Sequence, residues 1–244
     1  MQSIKIKNLT KIFDGKKVLD DISFEVKTGE ILAIVGFSGS GKSTVLKLIC
    51  GLIQQDKGEI EIDKKGDIAM VFQYSALFDS LNVFDNIAFA LEERKEFRGK
   101  YTNKQIKEIV AKNLQTVGLE GIEKKLPHEL SGGMQKRVSF ARAIVTEPSI
   151  ILYDEPTAGL DPVASTIIED YILTLRNETK ATAIIVTHQM STITRCADRI
   201  IMLYGGKIVF EGTPSEMLEK KSPYTKQFVE AEIEGPMKIA TSSF

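Results

Sequence analysis

Gly36-Phe37-Ser38-Gly39-Ser40-Gly41-Lys42-Ser43-Thr44 is the stretch that decides the fold of this chain. It matches the pattern G-x-x-x-x-G-K-[ST], in which glycine-rich backbone surrounds a phosphate group. The apolar run before it, residues 30–35, is typical of a buried strand, and Lys42–Ile49 has the apolar spacing of a helix. A glycine-rich turn with a chance lysine would lack these flanks, so the order strand, loop, helix predicts a phosphate site.

Each residue type in this loop has an expected task. Gly36, Gly39 and Gly41 allow a sharp turn that points backbone N–H groups and the positive helix N-terminus at phosphate oxygens. Lys42 adds a positive charge near the β and γ phosphates, and Ser43 supplies a hydroxyl for Mg²⁺. The loop therefore predicts a bound nucleotide with its magnesium ion.

Composition limits the class of protein. The 244 residues are 43% hydrophobic and 27% charged, as in an ordinary globular protein with a sizeable core. The net charge of −1 gives no electrostatic reason to expect nucleic acid as a partner. Cys50 and Cys196 stand alone, which suits a reducing compartment and argues against a disulfide scaffold or zinc site.

No stretch of the sequence suggests membrane insertion or export. No apolar run approaches the roughly 20 residues that span a bilayer, and the N-terminus lacks the apolar core of a signal peptide. If the protein serves a membrane, we expect another chain to do the spanning.

Periodicity divides the chain into three regions. Residues 3–9 and 22–26 alternate, which predicts an antiparallel β region with a turn carrying an exposed aromatic at 12–15. Residues 74–130 change to helical spacing, and from residue 131 strands and helices alternate again. The other predicted elements are strands at 59–63, 67–72, 149–154 and 181–187, helices at 82–91, 102–117, 136–145, 163–179, 214–220 and 223–231, and a hairpin at 199–210.

Two adjacent carboxylates follow a predicted buried strand. Asp154 can hold Mg²⁺ through water, and Glu155 is placed to orient or deprotonate an attacking water. Alone, this pair would be an acidic strand-to-loop cap; after a phosphate loop it predicts a catalytic station.

Further residues suit the same site. Ser131, Gly132 and Gly133 precede a predicted helix, where a serine cap and two glycines let a phosphate approach the N–H groups. Gln73 follows a strand and offers an amide for Mg²⁺ and the attacking water, although a lone loop glutamine is common. His188 also follows a strand, where contact with the γ-phosphate competes with a structural role.

Phe13 completes the set of candidates. Its turn context suits stacking on a nucleobase, and a place in the core is the alternative.

These motifs, in this order, resemble the nucleotide-binding subunit of an ABC transporter over roughly residues 3–230. One departure is Met134, where glutamine is usual; that position varies in the family and leaves the roles of Ser131 and the two glycines intact. The other is a short link at 63–67, which touches no catalytic station. The matching positions are Phe13 for the A-loop, residues 36–44 including Ser38 and Thr44 for Walker A, Gln73 for the Q-loop, residues 130–134 for the LSGGQ signature, residues 150–155 for Walker B, Asp161 for the D-loop and His188 for the switch histidine.

The resemblance implies an α/β fold. The expected architecture is a P-loop NTPase core with a mixed or parallel sheet, an N-terminal antiparallel β subdomain and an inserted α-helical signature subdomain. We expect one ATPase domain over residues 1–231, with a core of 1–73 and 146–231, helices at about 74–145, and a tail at 232–244.

The resemblance also implies a mechanism. Two copies pair head to tail, and each ATP lies between Walker A of one copy and Ser131-Gly132-Gly133 of the other. An integral permease contacts the groove at residues 72–91. The implied ligands of Mg²⁺ are Ser43, Gln73 and Asp154; the catalytic residues are Glu155, His188 and Gln73; and Phe13 and Asp161 join the loop residues in binding nucleotide.

Three stretches resemble the ATPases of Mce/Mla-type lipid transporters, a group that includes a plastid importer: residues 73–81, 153–165 and 234–237. This implies a lipid cargo, an Mce-domain partner, and a position on the cytoplasmic side of the inner membrane or the stromal side of a plastid envelope. In that group the tail, here 232–244, can reach across the dimer; a frayed terminus is the alternative.

Two other functions stay open. One is an ATPase for a polar solute such as an amino acid, and the other is a soluble ABC ATPase that acts on DNA or ribosomes. Proteins of the second kind usually carry two cassettes, long coiled coils or basic patches, and this sequence shows none.

Overall fold

Nine strands form two sheets in the part of the chain that the computed structural model describes, residues 2–63 and 68–238. The strands are β1 (Gln2–Phe13), β2 (Lys16–Lys27), β3 (Ile31–Val35), β4 (Lys57–Ile62), β5 (Ile68–Val71), β6 (Ile150–Asp154), β7 (Thr182–Val186), β8 (Arg199–Tyr204) and β9 (Lys207–Gly212). The helices are α1 (Lys42–Ile49), α2 (Val83–Glu93), α3 (Asn103–Thr116), α4 (Gly132–Ile144), α5 (Pro162–Thr179), α6 (Met190–Cys196), α7 (Pro214–Leu218) and α8 (Pro223–Val229), with a 3-10 turn at Pro127–Glu129.

The two sheets differ in pairing. The first has the order β2-β1-β4 and is antiparallel throughout. The second has the order β5-β6-β7-β3-β8-β9 and is parallel except for the edge strand β9. This confirms the predicted fold class, an α/β core with a mixed sheet, an antiparallel N-terminal sheet and helices inserted between β5 and β6.

The alternation of side chains along β3 shows how the layers stack. Leu32 and Ile34 face a core shared with α1 and the first sheet, so α1 lies between the two sheets. Ile31 faces the opposite core, which α2 to α5 cover. Ala33 and Val35 face a third cluster with α6 to α8. All five β3 residues are buried, as expected for a central strand of a parallel sheet.

Local signals explain most element ends, and some differ from the expected positions. The predicted helix at 136–145 begins one turn earlier, at Gly132, because the Ser131 hydroxyl accepts a hydrogen bond from the Met134 N–H at 3.3 Å. The predicted turn at 12–15 narrows to Asp14 and Gly15, whose φ values of 48° and 77° suit a tight hairpin. Strands β1 and β2 are correspondingly longer than the predicted 3–9 and 22–26.

The C-terminal segment docks on its own chain. Met237 is completely buried, and the Gln227 side chain accepts from its N–H at 2.8 Å and donates to its C=O at 2.9 Å. The same third cluster includes Phe37 of the phosphate loop, whose ring lies 5.9 Å from that of Phe228. Residues 232–238 are therefore not frayed; residues 239–244, like most of the short link at 63–67, lie outside the described residues.

Two other expectations concern membranes and cysteines. Among the described residues, no helix combines the length and apolarity needed to cross a bilayer. Cys50 and Cys196 are both free, and burial raises the pKa of the Cys196 thiol to about 12. A thiol with that pKa stays protonated near neutral pH.

The turn from β3 into α1 depends on Gly36. Its φ is 142°, and a Cβ there would lie 2.4 Å from the Leu203 carbonyl oxygen on β8. Gly39 also has a positive φ, 79°, but a Cβ there would meet no atom within 4 Å among the described residues. The close approach of loop and strand β8 therefore requires glycine at position 36.

We predict that Met237→Ala lowers the free energy of unfolding by about 2–5 kcal/mol, the usual cost of truncating a buried methionine. Urea denaturation followed by circular dichroism measures this. Ile233→Ala is the matched control, because Ile233 is 80% exposed in the same segment. Equal stability of the two variants would show that residues 232–238 do not dock in solution.

We also predict that Gly36→Ala destabilises the fold more than Gly39→Ala. The control loses about 1–2 kcal/mol through its left-handed backbone. The Gly36 variant must in addition move the loop away from the Leu203 carbonyl, at about 1–3 kcal/mol more. Urea denaturation of both variants checks the order, and an equal loss would contradict the contact with β8.

Candidate nucleotide-binding site

The predicted site residues meet at one edge of the parallel sheet. Strands β5, β6, β7 and β3 are neighbours and run in the same direction, so their carboxyl ends lie side by side. Gln73, Asp154, His188 and the loop 36–44 each end or follow one of these four strands. Ligands of open α/β sheets bind at this edge.

The Lys42 side chain folds back onto the phosphate loop and binds its backbone. Its Nζ donates to the carbonyl oxygens of Gly36 at 2.8 Å and Phe37 at 3.0 Å, and the side chain is buried. Burial lowers the pKa of Lys42, while the charges of Glu155 and Asp154 oppose that shift. A phosphate oxygen would be a stronger partner for this ammonium than either neutral carbonyl. The loop is thus a site for an anion.

Ser43 and Asp154 present oxygens next to each other. The Ser43 hydroxyl donates to Asp154 Oδ1 at 2.8 Å. Burial raises the pKa of the Asp154 carboxyl, and the hydrogen bond from Ser43 opposes this. Gln73, exposed beyond the end of the neighbouring strand β5, lies at the same edge.

This donor set fits Mg²⁺. Within residues 2–63 and 68–238, no three His, Cys, Asp or Glu side chains cluster in a way that holds a metal. Mg²⁺ does not need such a cluster, because it binds one or two carboxylates together with phosphates and waters. A hydroxyl, a carboxylate and an amide beside a phosphate loop meet that requirement.

Glu155 is held in an unusual conformation with one oxygen unpaired. Its φ is 48°, its N–H donates to the Val186 carbonyl at 2.8 Å, and Oε1 lies 2.8 Å from His188 Nδ1. Oε2 is buried and has no hydrogen-bond partner in the described part of the chain. Buried carboxylate oxygens nearly always have a partner, so Oε2 is open to an O–H donor such as water. That is the geometry of a general base.

Phe13 lies at the rim of a cleft beside the phosphate loop. The cleft measures about 270 Å³, and Phe13 keeps 43% of its surface exposed. The Lys11 ammonium lies 5.1 Å from the ring centroid. The other lining residues are Val18, Gly39, Gly41, Lys42, Ser43 and Thr44. The structure therefore brings this aromatic to the loop, where its face can receive a base.

Two predicted stations lie apart from this cleft. The exposed Ser131 starts α4, which packs against α2, α3 and β5, whereas α1 packs on β6 and β7. Asp161 caps α5, with Oδ1 accepting from Val163 N at 3.0 Å and Ala164 N at 2.9 Å. Neither residue lines the cleft among the described residues.

The structure adds contacts and burial that the sequence motifs did not indicate. Lys136 Nζ donates to the Ala158 carbonyl; burial lowers the Lys136 pKa and the charge of Glu155 opposes this. The Ser40 hydroxyl is buried without a partner in the described chain, inside the phosphate loop. Ser40 occupies a variable position of the loop pattern, and no periodicity relates Lys136 to Ala158, so no sequence signal could identify either.

Comparisons with known proteins agree with this geometry. A family model described as "ABC transporter" matches residues 19–158, which is more than half of the chain. A dimeric structure of MJ0796 in a post-hydrolysis state with ADP and Pi superposes with a TM-score of 0.78 at 31% identity, covering 86% of this chain and 98% of that one.

The sequence is similar to three relatives whose names refer to different transport systems. It is 42% identical to the protein TRIGALACTOSYLDIACYLGLYCEROL 3, chloroplastic, of Arabidopsis thaliana, over 96% of this chain and 75% of the relative. It is 34% identical to the intermembrane phospholipid transport ATP-binding protein MlaF of Haemophilus influenzae, over 97% and 93%. The methionine import protein MetN of Carboxydothermus hydrogenoformans is 39% identical, over 93% and 71%.

Sequence, fold and site lead to the same conclusion: the chain belongs to the ABC transporter family, as an ATP-binding subunit whose hydrolysis of ATP is coupled to transport.

Proposed function

We propose that this chain powers the movement of phospholipid across or between membranes, together with an integral permease and an Mce-type lipid-binding protein. The observation that carries the proposal is the similarity to MlaF, named for phospholipid transport, along nearly the whole of both chains. The 42% identity to the chloroplast relative agrees with the resemblance of three stretches of the sequence to the Mce/Mla-type lipid-transport ATPases, a group that includes a plastid importer. MetN, at 39% identity, supports the alternative of a polar solute such as an amino acid.

In this proposal the residues of the sheet edge divide the chemistry among them. The loop 36–44 and Lys42 bind the phosphates, and Phe13 stacks on the base. Glu155 Oε2 takes a proton from the attacking water, and His188, paired with Oε1, orients the carboxylate and the γ-phosphate. Gln73 orients that water.

Mg²⁺, held by Ser43, Asp154 and Gln73, would neutralise charge on the phosphates.

We further propose a head-to-tail homodimer. Ser131, Gly132 and Gly133 lie at an exposed helix start, away from the chain's own cleft, and a helix N-terminus attracts phosphate. In a second copy this start would complete the first copy's site, with Asp161 beside it. The dimeric structure of MJ0796 supports such pairing within the family.

A surface groove is the proposed contact for the permease. Phe78 and Phe89 are 42% and 40% exposed, and their rings lie 4.8 Å apart. The Arg142 guanidinium lies 5.5 Å from the Phe78 ring and donates to the Ala76 carbonyl at 2.9 Å. They line a cleft of about 360 Å³ that also includes Phe72. Contiguous exposed aromatics mark a protein contact, here a helix of the permease.

This contact would place the subunit at a membrane without crossing it. The site would be the cytoplasmic side of the inner membrane, or the stromal side of the envelope in a plastid. No nucleic-acid partner is proposed, since the net charge of −1 offers no basis for one.

We predict that Glu155→Gln binds ATP and forms a stable dimer but hydrolyses ATP at least about 100-fold more slowly, because the amide is a poor base. Light scattering after size exclusion measures the dimer, and phosphate release measures the rate. Adding Ser131→Arg to the variant should leave nucleotide binding intact and keep the protein monomeric. Near-normal turnover of Glu155→Gln would remove the base assignment, and a dimer of the double variant would remove the trans role of Ser131.

A pull-down from detergent-solubilised membranes tests the cargo class. We expect the chain to recover a permease and an Mce-domain protein, and we expect Phe78→Ala/Phe89→Ala to lose both. Leu52→Ala is the control, because Leu52 is 59% exposed but does not line the groove. Recovery of a solute-binding protein would favour the polar-solute alternative, and recovery of ribosomes or DNA would contradict a transport role.

A further inference from the structure

A buried chain of polar side chains runs behind the Glu155–His188 pair. Thr157 Oγ1 lies 3.0 Å from Thr192 Oγ1, and Thr192 Oγ1 lies 2.8 Å from Glu169 Oε1. Glu169 Oε2 lies 2.9 Å from the Nε of Arg195. Thr157, Thr192 and Glu169 are each at most 1% exposed. No motif in the sequence marks Glu169 or Thr192, and nothing in the proposed chemistry above uses them.

While Glu169 is ionised, the hydroxyl protons of Thr157 and Thr192 can be arranged in only one way. A carboxylate accepts hydrogen bonds and cannot donate, so the Thr192 hydroxyl must donate to Glu169 Oε1. A hydroxyl has a single proton, so Thr192 can only accept from Thr157. The direction therefore runs from Thr157 through Thr192 to Glu169, and the Arg195 guanidinium balances the charge at the far end.

These hydrogen bonds connect the segment that follows Glu155 to the helix that follows His188. Thr157 lies two residues after Glu155, in a turn where the Ala158 N–H donates to the Glu155 carbonyl at 3.2 Å. Thr192 lies on α6, which begins just after His188. The Gln189 side chain also donates to the Thr157 carbonyl at 3.3 Å. The turn after Glu155 and the start of α6 are thus both connected to the Glu169 carboxylate on α5.

Burial makes this connection rigid. A polar group that is closed off from water cannot exchange its partner for solvent, so displacing one member leaves another unpaired. The buried hydrogen bonds consequently fix the turn after β6 relative to the turn before α6. The 2.8 Å contact between Glu155 Oε1 and His188 Nδ1 spans the same two turns.

We propose that Glu169 and Thr192 are positioning residues for ATP hydrolysis, which hold Glu155 and His188 in register with each other. The proposal rests on the catalytic roles given to that pair above. Neither residue touches nucleotide; they act through Thr157 and the start of α6. Their contribution is to the chemical step, because they act on Glu155 and His188 and not on the groups that bind the nucleotide, which are Phe13, the loop 36–44 and the magnesium ligands.

The test compares Thr192→Val with Thr192→Ser in the full chain. Valine has nearly the shape of threonine but no hydroxyl, whereas serine keeps the hydroxyl and loses a methyl group. We expect Thr192→Val to lower kcat for ATP hydrolysis by about 10-fold to 100-fold, the range for a small misplacement of catalytic groups. KM for ATP should stay within about two-fold, since ground-state binding is unchanged. Thr192→Ser should keep most of the activity.

Thermal unfolding of each variant separates positioning from loss of fold. If Thr192→Val does not fold, Thr157→Val and Thr157→Ser form a second pair on the same chain of hydrogen bonds, with the same expected split between kcat and KM. A folded valine variant with the kcat of the wild type overturns the proposal. So does a serine variant as impaired as valine, because the methyl group and not the hydroxyl would then matter.

Glu155→Gln measured alongside distinguishes a failure of the positioning role from a failure of the base assignment. If Glu155→Gln is inactive and Thr192→Val has wild-type kcat, only the positioning proposal fails. If Glu155→Gln itself turns over normally, the base assignment fails, and the positioning proposal fails with it.

Discussion

The register of the parallel sheet is the constraint on which the site depends. Asp154 is paired with Val186, and the Glu155 N–H donates to the carbonyl of the same residue. Since side chains alternate along a strand, a slip of one residue would exchange the faces of every side chain at this edge. Side chains on both faces of the buried β3, β6 and β7 are packed into apolar cores, so a slip would require both cores to repack. The apolar packing of the strands thereby determines where Asp154 and Glu155 lie.

Much of the fold and the convergence of most candidate site residues can be predicted from sequence, because their signals are local. The buried strands before Gly36 and at Asp154 are apolar runs with a clear end, and the residues that follow them must meet once the strands are parallel. The loop pattern itself fixes glycines, lysine and hydroxyl at set distances. The sequence-based prediction of the fold class is confirmed, and the placement of Phe13 at the loop agrees with its expected role.

The rest depends on contacts between distant positions, which periodicity cannot indicate. The docking of Met237 depends on Gln227, a residue that reads as an ordinary polar helix position. Glu169 lies on a helix whose spacing predicts only that one face is buried, and its partners Thr192 and Arg195 come from another helix. The early start of α4 depends on a serine cap, which outweighs the low helix propensity of Gly132 and Gly133.

The contact between Phe37 and Phe228 links the two ends of the chain, with a consequence for synthesis. The phosphate loop leaves the ribosome early, but α8 and Met237, which back it, leave late. A nascent chain that already carries the loop, α4 and Glu155 still lacks this wall behind Phe37. The loop therefore reaches its full support only when translation has passed Met237.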